Sequence, residues 1–507
     1  MISRQIETLL QRSKTTSHLL QLQSLSIKTA LDHQEHFLSR LILASSLISL
    51  QISREIFDKS PITPSRFARN TLIQGYSKSS IPLESVKMFV DLQRSGIKPD
   101  NYTYPFVLKA CGRCSMVGVG GTLHSMVLKM GFDWDLHICN TLLRMYGGLH
   151  LIAYSRQVFD DMSQRDVVSW SSMIAAYVNC NCPVNALTVF QDMIIQHEKP
   201  NSITLVSLLA ACTRLLNVKL GESIHSHILT NGVGLNVELG TALLEMYAKC
   251  GHMLEAFLIF DSISDKNLQS WTVMISSLAD NGFGEEAMSL FSKMEEAGLQ
   301  PDSKSFSAVL SACSHMGLVD EGKDYFDKMV KVHNIRPTME HYGCLVDMFG
   351  RAGKIEEAYQ VIKSMPMEPN SIVLRSFISS CRYHGRIVCE EKHLKQLLKI
   401  EPDVGANYVL AGSMCSLSGY WSDTNDLRVS MKEKGLKKVP GSSWVQLPNF
   451  SSTSFSFFGS GVQLVVYAYC YLVFCSLLHK SFSELVFNVA DEVKVAAGND
   501  IMLKAAC

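Results

Sequence analysis

The sequence predicts an all-α solenoid of stacked antiparallel helix pairs, and three observations carry that prediction. The first is a period of 101 residues: Pro99, Pro200 and Pro301 share it, as do Cys111, Cys212 and Cys313, while Trp170 recurs as Trp271 and Met145-Tyr146 as Met246-Tyr247. Unrelated residue types in one register mark a repeated structural unit rather than chance. The second is a subdivision of each block into lengths of 35, 35 and 31: residues 167–201, 202–236 and 237–267, preceded by 66–100, 101–135 and 136–166. The third is helical periodicity inside each repeat.

Residues 268–302 show the elements in order. Trp271, Met274, Ile275 and Leu278 form one apolar face of a first helix. Asp280-Asn281-Gly282 ends it. Glu285 and Glu286 stand where a helix N-terminus favours acids, and Ala287, Leu290, Phe291 and Met294 make a second stripe. Gly298 and Pro301 stop that helix. One such hairpin cannot bury both faces, so hairpins must stack, giving one quasi-linear core and a long surface rather than a single pocket.

Composition narrows the partners. Lys plus Arg equals Asp plus Glu at 47 each, which argues against strong, sequence-blind attraction to phosphate but not against contacts to base edges. Fifteen cysteines show no pairing pattern; Cys111, Cys212 and Cys313 read as small buried apolar residues in a reducing compartment. Residues 1–16 carry Arg4, Arg12 and Lys14 against one acid, Glu7, with Ile2, Ile6, Leu9 and Leu10 on a possible apolar face. That suits an organellar targeting peptide or the first helix of a degenerate repeat, which are not exclusive.

The strings NTLIQGYSK from Asn70, PFVLKACGR from Pro105, SWSSMIAAYV from Ser169 and ALLEMYAKCGHMLEA from Ala242 resemble the pentatricopeptide repeat. The 35/35/31 alternation resembles the plant PLS subfamily, and 371–447, with SCRYHG, EPDVGANYVLAGSM and MKEKGLKKVPGSSW, is similar to the E extension of its E subgroup. The resemblance implies a right-handed superhelix of about a dozen hairpins. It divides the chain into 1–34, a targeting segment overlapping a degenerate first repeat; 35–370, the array; 371–447, the extension; and 448–507, an atypical tail. It further implies a site-recognition factor for C-to-U editing of organellar RNA, mitochondrial or alternatively plastid. The implied partners are single-stranded RNA, a DYW-type deaminase acting in trans and multiple organellar RNA editing factor proteins. The alternatives are a factor for RNA stabilisation, splicing or processing, and a protein-binding helical scaffold.

No catalytic residue, metal or cofactor is assigned. The zinc deaminase signature pairs H-x-E with P-C-x-x-C. His33-Gln34-Glu35 and Cys111-Gly112-Arg113-Cys114 imitate its halves, but Ala110 stands where the proline belongs and repeats separate the two. His124 and His225 recur at the 101 spacing and read as packing or surface residues rather than ligands.

The resemblance also implies that one repeat faces one base through its fifth and last residues. Those are Asn70 with Asp100, Asn140 with Asp166, Ser171 with Asn201, Thr241 with Asn267 and Thr272 with Asp302, all small hydrogen-bonding side chains. A hydroxyl leaves room for a purine and an Asn reaches a pyrimidine. A terminal Asp accepts the ring N–H of U or G; a terminal Asn donates to A or C. The array then reads U-x-U-A-x-A-G, 5′ to 3′, the x positions facing long repeats whose fifth residues are Pro105 and Val206. In the competing reading all ten residues are solvent-exposed turn and cap residues.

In the tail, no charged residue separates Lys438 from Lys480, and 462–478 is an apolar run broken by Gln463 and Ser476. An unstructured or artefactual tail, a membrane helix at the short limit and a buried strand all fit.

Overall fold

The computed structural model describes residues 15–386 and 391–436. They contain 25 α-helices and no strand, in two compact halves, 15–227 and 228–436, that divide inside helix Val218–Thr230. The helices pair as antiparallel hairpins: in the first half, for example, Arg66–Lys78 with Leu83–Arg94, and in the second, Leu268–Asp280 with Gly284–Glu296. Within each half, the first helix of a repeat packs on the first helix of the next. The last two hairpins, Ser371–Tyr383 with Glu391–Ile400 and Gly405–Leu417 with Trp421–Glu433, occupy the predicted extension.

The predicted stripes form the core. Met274, Ile275, Leu278, Ala287, Phe291 and Met294 are fully buried, while Leu290 lies only partly inside. The 101-spaced tryptophans do the same job twice: Trp170 meets Phe159 edge-on at 5.0 Å and Trp271 meets Phe260 at 5.2 Å. Gly282 ends the first helix in the left-handed region at φ +84°, a conformation that a side chain would strain. Cys111, Cys212 and Cys313 are all buried, and burial pushes the thiols of Cys111 and Cys313 up to about 12 and about 11. These are packing residues, not reactive thiolates.

Close approach of the two helices explains another register position. Ser85 and Ser155 on second helices donate to the Ile73 and Leu143 carbonyls at 2.9 and 3.2 Å. Their equivalents Ala186, Ala256, Ala287 and Ala358 are fully buried. In long repeats the position is Gly120, Gly221 and Gly322; a Cβ on Gly120 would stand 2.9 Å from Met145 Sδ.

Neighbouring first helices are tied by a third 101-spaced set. Arg113 donates to the Ser77 carbonyl at 2.7 Å, Arg214 to the Val178 carbonyl, and His315 Nδ1 to the Ala279 carbonyl at 3.0 Å. Each carbonyl is the penultimate one of its helix, a group with no partner inside its own helix. A cation there also suits the negative end of the helix dipole.

No helix among the described residues is long and apolar enough to cross a membrane. The apolar run at 462–478 and residues 1–14 lie outside the described residues.

Candidate nucleic-acid interface

The fifth residue of each pair sits in the first helix, one turn from its start. In four of the five pairs the last residue is the N-cap of the following first helix; Asp100 instead lies three residues before the N-cap Thr103, and its Oδ1 accepts from the Tyr102 and Thr103 amides at 3.2 and 3.0 Å. Asp166, Asn201 and Asp302 close capping boxes with Ser169, Thr204 and Ser305, and Asn267 caps through the Ser270 amide. In each, Oδ1 does the capping: it accepts the third amide of its helix at 2.8 Å in Asp166 and Asp302 and at 2.9 Å in Asn201 and Asn267.

The two members of a pair are joined. Asn70 Nδ2 donates to Asp100 Oδ1 at 3.0 Å, and Asn140 Nδ2 to Asp166 Oδ1 at 3.2 Å. Where the fifth residue is a hydroxyl, the third residue of the next helix bridges. Ser171 meets Thr204 at 2.7 Å, and Thr204 donates to Asn201 Oδ1 at 3.0 Å. Thr272 meets Ser305, and Ser305 donates to Asp302 Oδ1, both at 2.8 Å. Thr241 turns back to its own helix, donating to the Val237 carbonyl at 2.7 Å.

This geometry separates two jobs on one side chain. Oδ1 is held by the cap, whichever residue is present. The second atom, an acceptor in Asp166 and Asp302 and a donor in Asn201 and Asn267, has no hydrogen-bond partner among the described residues. Asp100 differs, since its Oδ2 pairs with Arg66 Nε at 3.1 Å. Burial opposes ionisation of Asp166, but bonds from Ser169 and Asn140 outweigh it and hold the carboxyl below its ordinary range.

Capping is therefore real, but uniform solvent exposure is not. Asn140, Ser171 and Thr241 are 6%, 2% and 5% exposed, so only an edge of these three is open, while Asn70 and Thr272 are partly buried. The long repeats differ again. Pro105 is buried under a cavity of about 330 Å³ shared with Tyr102, Phe106 and His137, and Ser307 donates to Glu340 at 3.4 Å.

Sequence reasoning missed two sets of residues. One is the bridging hydroxyls, whose role needs the stacked neighbour. The other is the second residue of five repeats, beside the pair: Phe67, Tyr102, Val168, Ile203 and Ile372 are large, apolar and exposed, Tyr102 by 69%. Such residues offer faces on which bases stack without regard to sequence. Their spacing of 35 from Phe67 to Tyr102, and again from Val168 to Ile203, was a visible signal. The remaining repeats of the array hold His137, Glu238, Gln269, Lys304 and Glu340 at this position instead.

The imitation deaminase halves stay apart in role: His33 lies in a short 3-10 turn and Cys111 in the core. No cluster of metal-binding side chains occurs among the described residues. Burial lowers the pKa of His124 and His225, and His124 Nδ1 lies 3.0 Å from the Tyr146 hydroxyl, so this histidine is a packing residue.

The chain matches the PPR repeat at 168–196, 241–268, 304–332 and 340–368, the PPR repeat family at 64–113 and 266–315, and the E motif at 386–446. A pentatricopeptide repeat-containing protein of Arabidopsis thaliana, named as chloroplastic, is 33% identical over 482 residues, covering 94% of this chain and 78% of its own length. Another from Arabidopsis thaliana, named as mitochondrial, is 35% identical over 399 residues, covering 78% of this chain and 52% of its own. The chain thus spans little more than half the length of some curated relatives, 53% in a further case. Among solved structures, the pentatricopeptide repeat protein PPR10 in complex with an 18-nt psaJ RNA element aligns over 85% of this chain and 82% of that one, at 15% identity and a TM-score of 0.35. Repeats matched along the array, an E motif behind them and a relative covered over more than two thirds of its length establish that the chain belongs to the pentatricopeptide repeat family, with PLS-type repeats and an E motif.

Proposed function

We propose that this protein binds one single-stranded organellar RNA by sequence and marks a cytidine in it for C-to-U editing. The observation that carries the reading is the division of labour within four of the five pairs, those ending in Asp166, Asn201, Asn267 and Asp302. The cap consumes Oδ1 and leaves unbonded the one atom by which Asp and Asn differ. A fold that needed only caps would gain nothing from that atom, whereas a base edge distinguishes donor from acceptor. The reading row is then Asn70–Asp100, Asn140–Asp166, Ser171–Asn201, Thr241–Asn267 and Thr272–Asp302, specifying U-x-U-A-x-A-G.

In this reading the chain supplies recognition and the deaminase acts in trans. The E motif at 386–446 supports a docking role for the C-terminal hairpins. An organellar site of action rests on relatives named as chloroplastic and mitochondrial.

The test is the organellar transcriptome of a plant lacking the gene. One cytidine left unedited, downstream of a match to the sequence above, is the expected result. Intact editing with altered abundance or ends of one transcript would replace editing by RNA stabilisation or processing. No RNA phenotype, together with no base preference in a selection on randomised RNA, would leave a protein scaffold.

A further inference from the structure

The reading row has a structural end. In the repeat that begins at Ser371, the fifth residue is Arg375, and a last residue 30 positions on from Ser371 is Glu401. These two form an ion pair, and Glu401 also accepts from Ser371 at 2.6 Å and Asn407 at 3.0 Å. The register place of a base-reading pair is thus taken by an ion pair, whose two side chains are committed to each other.

Beside that closed pair opens a cavity of about 720 Å³, within the roughly 300–1,000 Å³ range of ligand sites. It is walled by the C-terminal ends of first helices Ser303–Met316, Met339–Arg351 and Ser371–Tyr383. Its polar groups divide into those already committed and those open. Asp347 is committed: it accepts from Ser314 at 2.6 Å, Ser376 at 2.9 Å and Arg351 at 2.7 Å. Arg382 is open: among the described residues no carboxylate pairs with it, although the two other arginines at the cavity each have one. Tyr383 is 84% exposed, with its ring edge-on to His384 at 5.0 Å. His384 Nε2 is buried and lacks a hydrogen-bond partner. A local excess of guanidinium charge, an exposed aromatic face and an unsatisfied ring nitrogen, in a chain of zero net charge, suit a ligand with a phosphate and a flat ring.

We propose that this cavity holds a nucleotide of the bound RNA itself, 3′ of the read segment and beyond the two repeats that begin at Ser303 and Met339. A phosphate lies on Arg382 and Arg351, and the base lies against Tyr383. The proposal rests on the RNA-binding reading above, because the strand runs along the first helices and, past the repeats that begin at Ser303 and Met339, reaches the closed Arg375–Glu401 pair. It adds a grip without sequence preference that anchors the strand where it leaves the array.

The test uses the full chain and two RNAs of equal length, each containing the seven-nucleotide match. One carries an oligouridine extension on its 3′ side, the other on its 5′ side. In fluorescence anisotropy the wild type should bind the 3′-extended RNA about tenfold tighter. Tyr383→Ala and Arg382→Gln, both at exposed positions, should abolish that advantage and leave the 5′-extended RNA unaffected. Arg382→Gln should also reduce the slope of log affinity against log salt by about 0.7, one single-strand phosphate contact. Equal binding of the two RNAs with intact sequence preference, or equal weakening of both by the variants, would overturn this proposal alone. Adenosine monophosphate binding that depends on Tyr383, with no advantage from the 3′ extension, would make the ligand a free nucleotide and overturn it as well. Absence of any sequence-preferring RNA binding by the wild type would overturn the reading of the array, and this grip with it.

Discussion

Replacing Asp302 with Asn changes the terminal group of one side chain while leaving its cap in place. Oδ1 of Asp302 accepts the Ser305 amide and hydroxyl, both at 2.8 Å, and through Ser305 reaches Thr272. An Asn keeps an oxygen there and is as good an N-cap as Asp, so stability should move by no more than about 0.5 kcal/mol. The unbonded atom turns from acceptor to donor, which exchanges the ring N–H of guanine for the ring nitrogen of adenine as its best partner. A good polar base contact discriminates by about 1–3 kcal/mol, or roughly 5- to 150-fold, so the seventh base should shift from G to A by that factor. Asp302→Ala is the complementary control: it removes the cap and should cost about 1–2 kcal/mol of stability. Selection on randomised RNA reads the base, and thermal melting reads the cap. If Asp302→Asn keeps both the melting temperature and the preference for G, the side chain is only a cap and the RNA lies elsewhere.

Three further outcomes follow from the same geometry. Thr272→Asn with Asp302 kept should move the seventh base from G toward U, because the longer amide crowds a purine, while Val206→Asn in a long repeat should change the same selection little. Arg113→Ala leaves the Ser77 carbonyl without its donor and should lower stability in urea titration by about 1–2 kcal/mol. Arg214→Ala should cost less, because the Val178 carbonyl keeps the Asn181 amide at 3.1 Å. Burial disfavours the charged form of Asp347, yet bonds from Ser314, Ser376 and Arg351 overcome it and depress its pKa. A carboxyl depressed in the fold stabilises above its unfolded value of about 3.9 and loses that contribution as pH falls through the folded value. The urea midpoint should therefore drop below about pH 4, and Asp347→Asn should flatten that drop.

The helices were legible because the stripe at Trp271, Met274, Ile275 and Leu278 follows the helix period and Gly282 ends it. The 101-residue register predicted the burial of Cys111, Cys212 and Cys313 for the same reason: identical surroundings recur at identical spacing. The contacts of Arg113, Arg214 and His315 were not legible, although they share that register. Their partners lie 36 residues back, and only the stacking of one first helix on the next brings them together. In the interface, the identities of the ten pair residues came from resemblance. Pro before Asp100, Asn201 and Asp302 announced capping, which Asn201 and Asp302 perform, whereas the helix after Asp100 starts later, at the N-cap Thr103. The bridging of Ser171 to Asn201 through Thr204 could not be anticipated, because it joins three residues from two repeats. Near-complete burial of Ser171 and Thr241 was also hidden, since a small polar residue carries no sign of the neighbour that will cover it.

Those carbonyl contacts between successive first helices have a consequence for how the chain comes to be folded. Each joint closes over a separation of about one repeat, and none of them waits for a distant segment. Chains dominated by such short-range closures order quickly, and they can do so from one end. A hairpin emerging from a ribosome, or from the narrow channel of an organelle's envelope, finds its docking site already built by the hairpin ahead of it. Assembly can therefore keep pace with delivery, and the apolar stripes need remain uncovered only for the time it takes the next repeat to arrive.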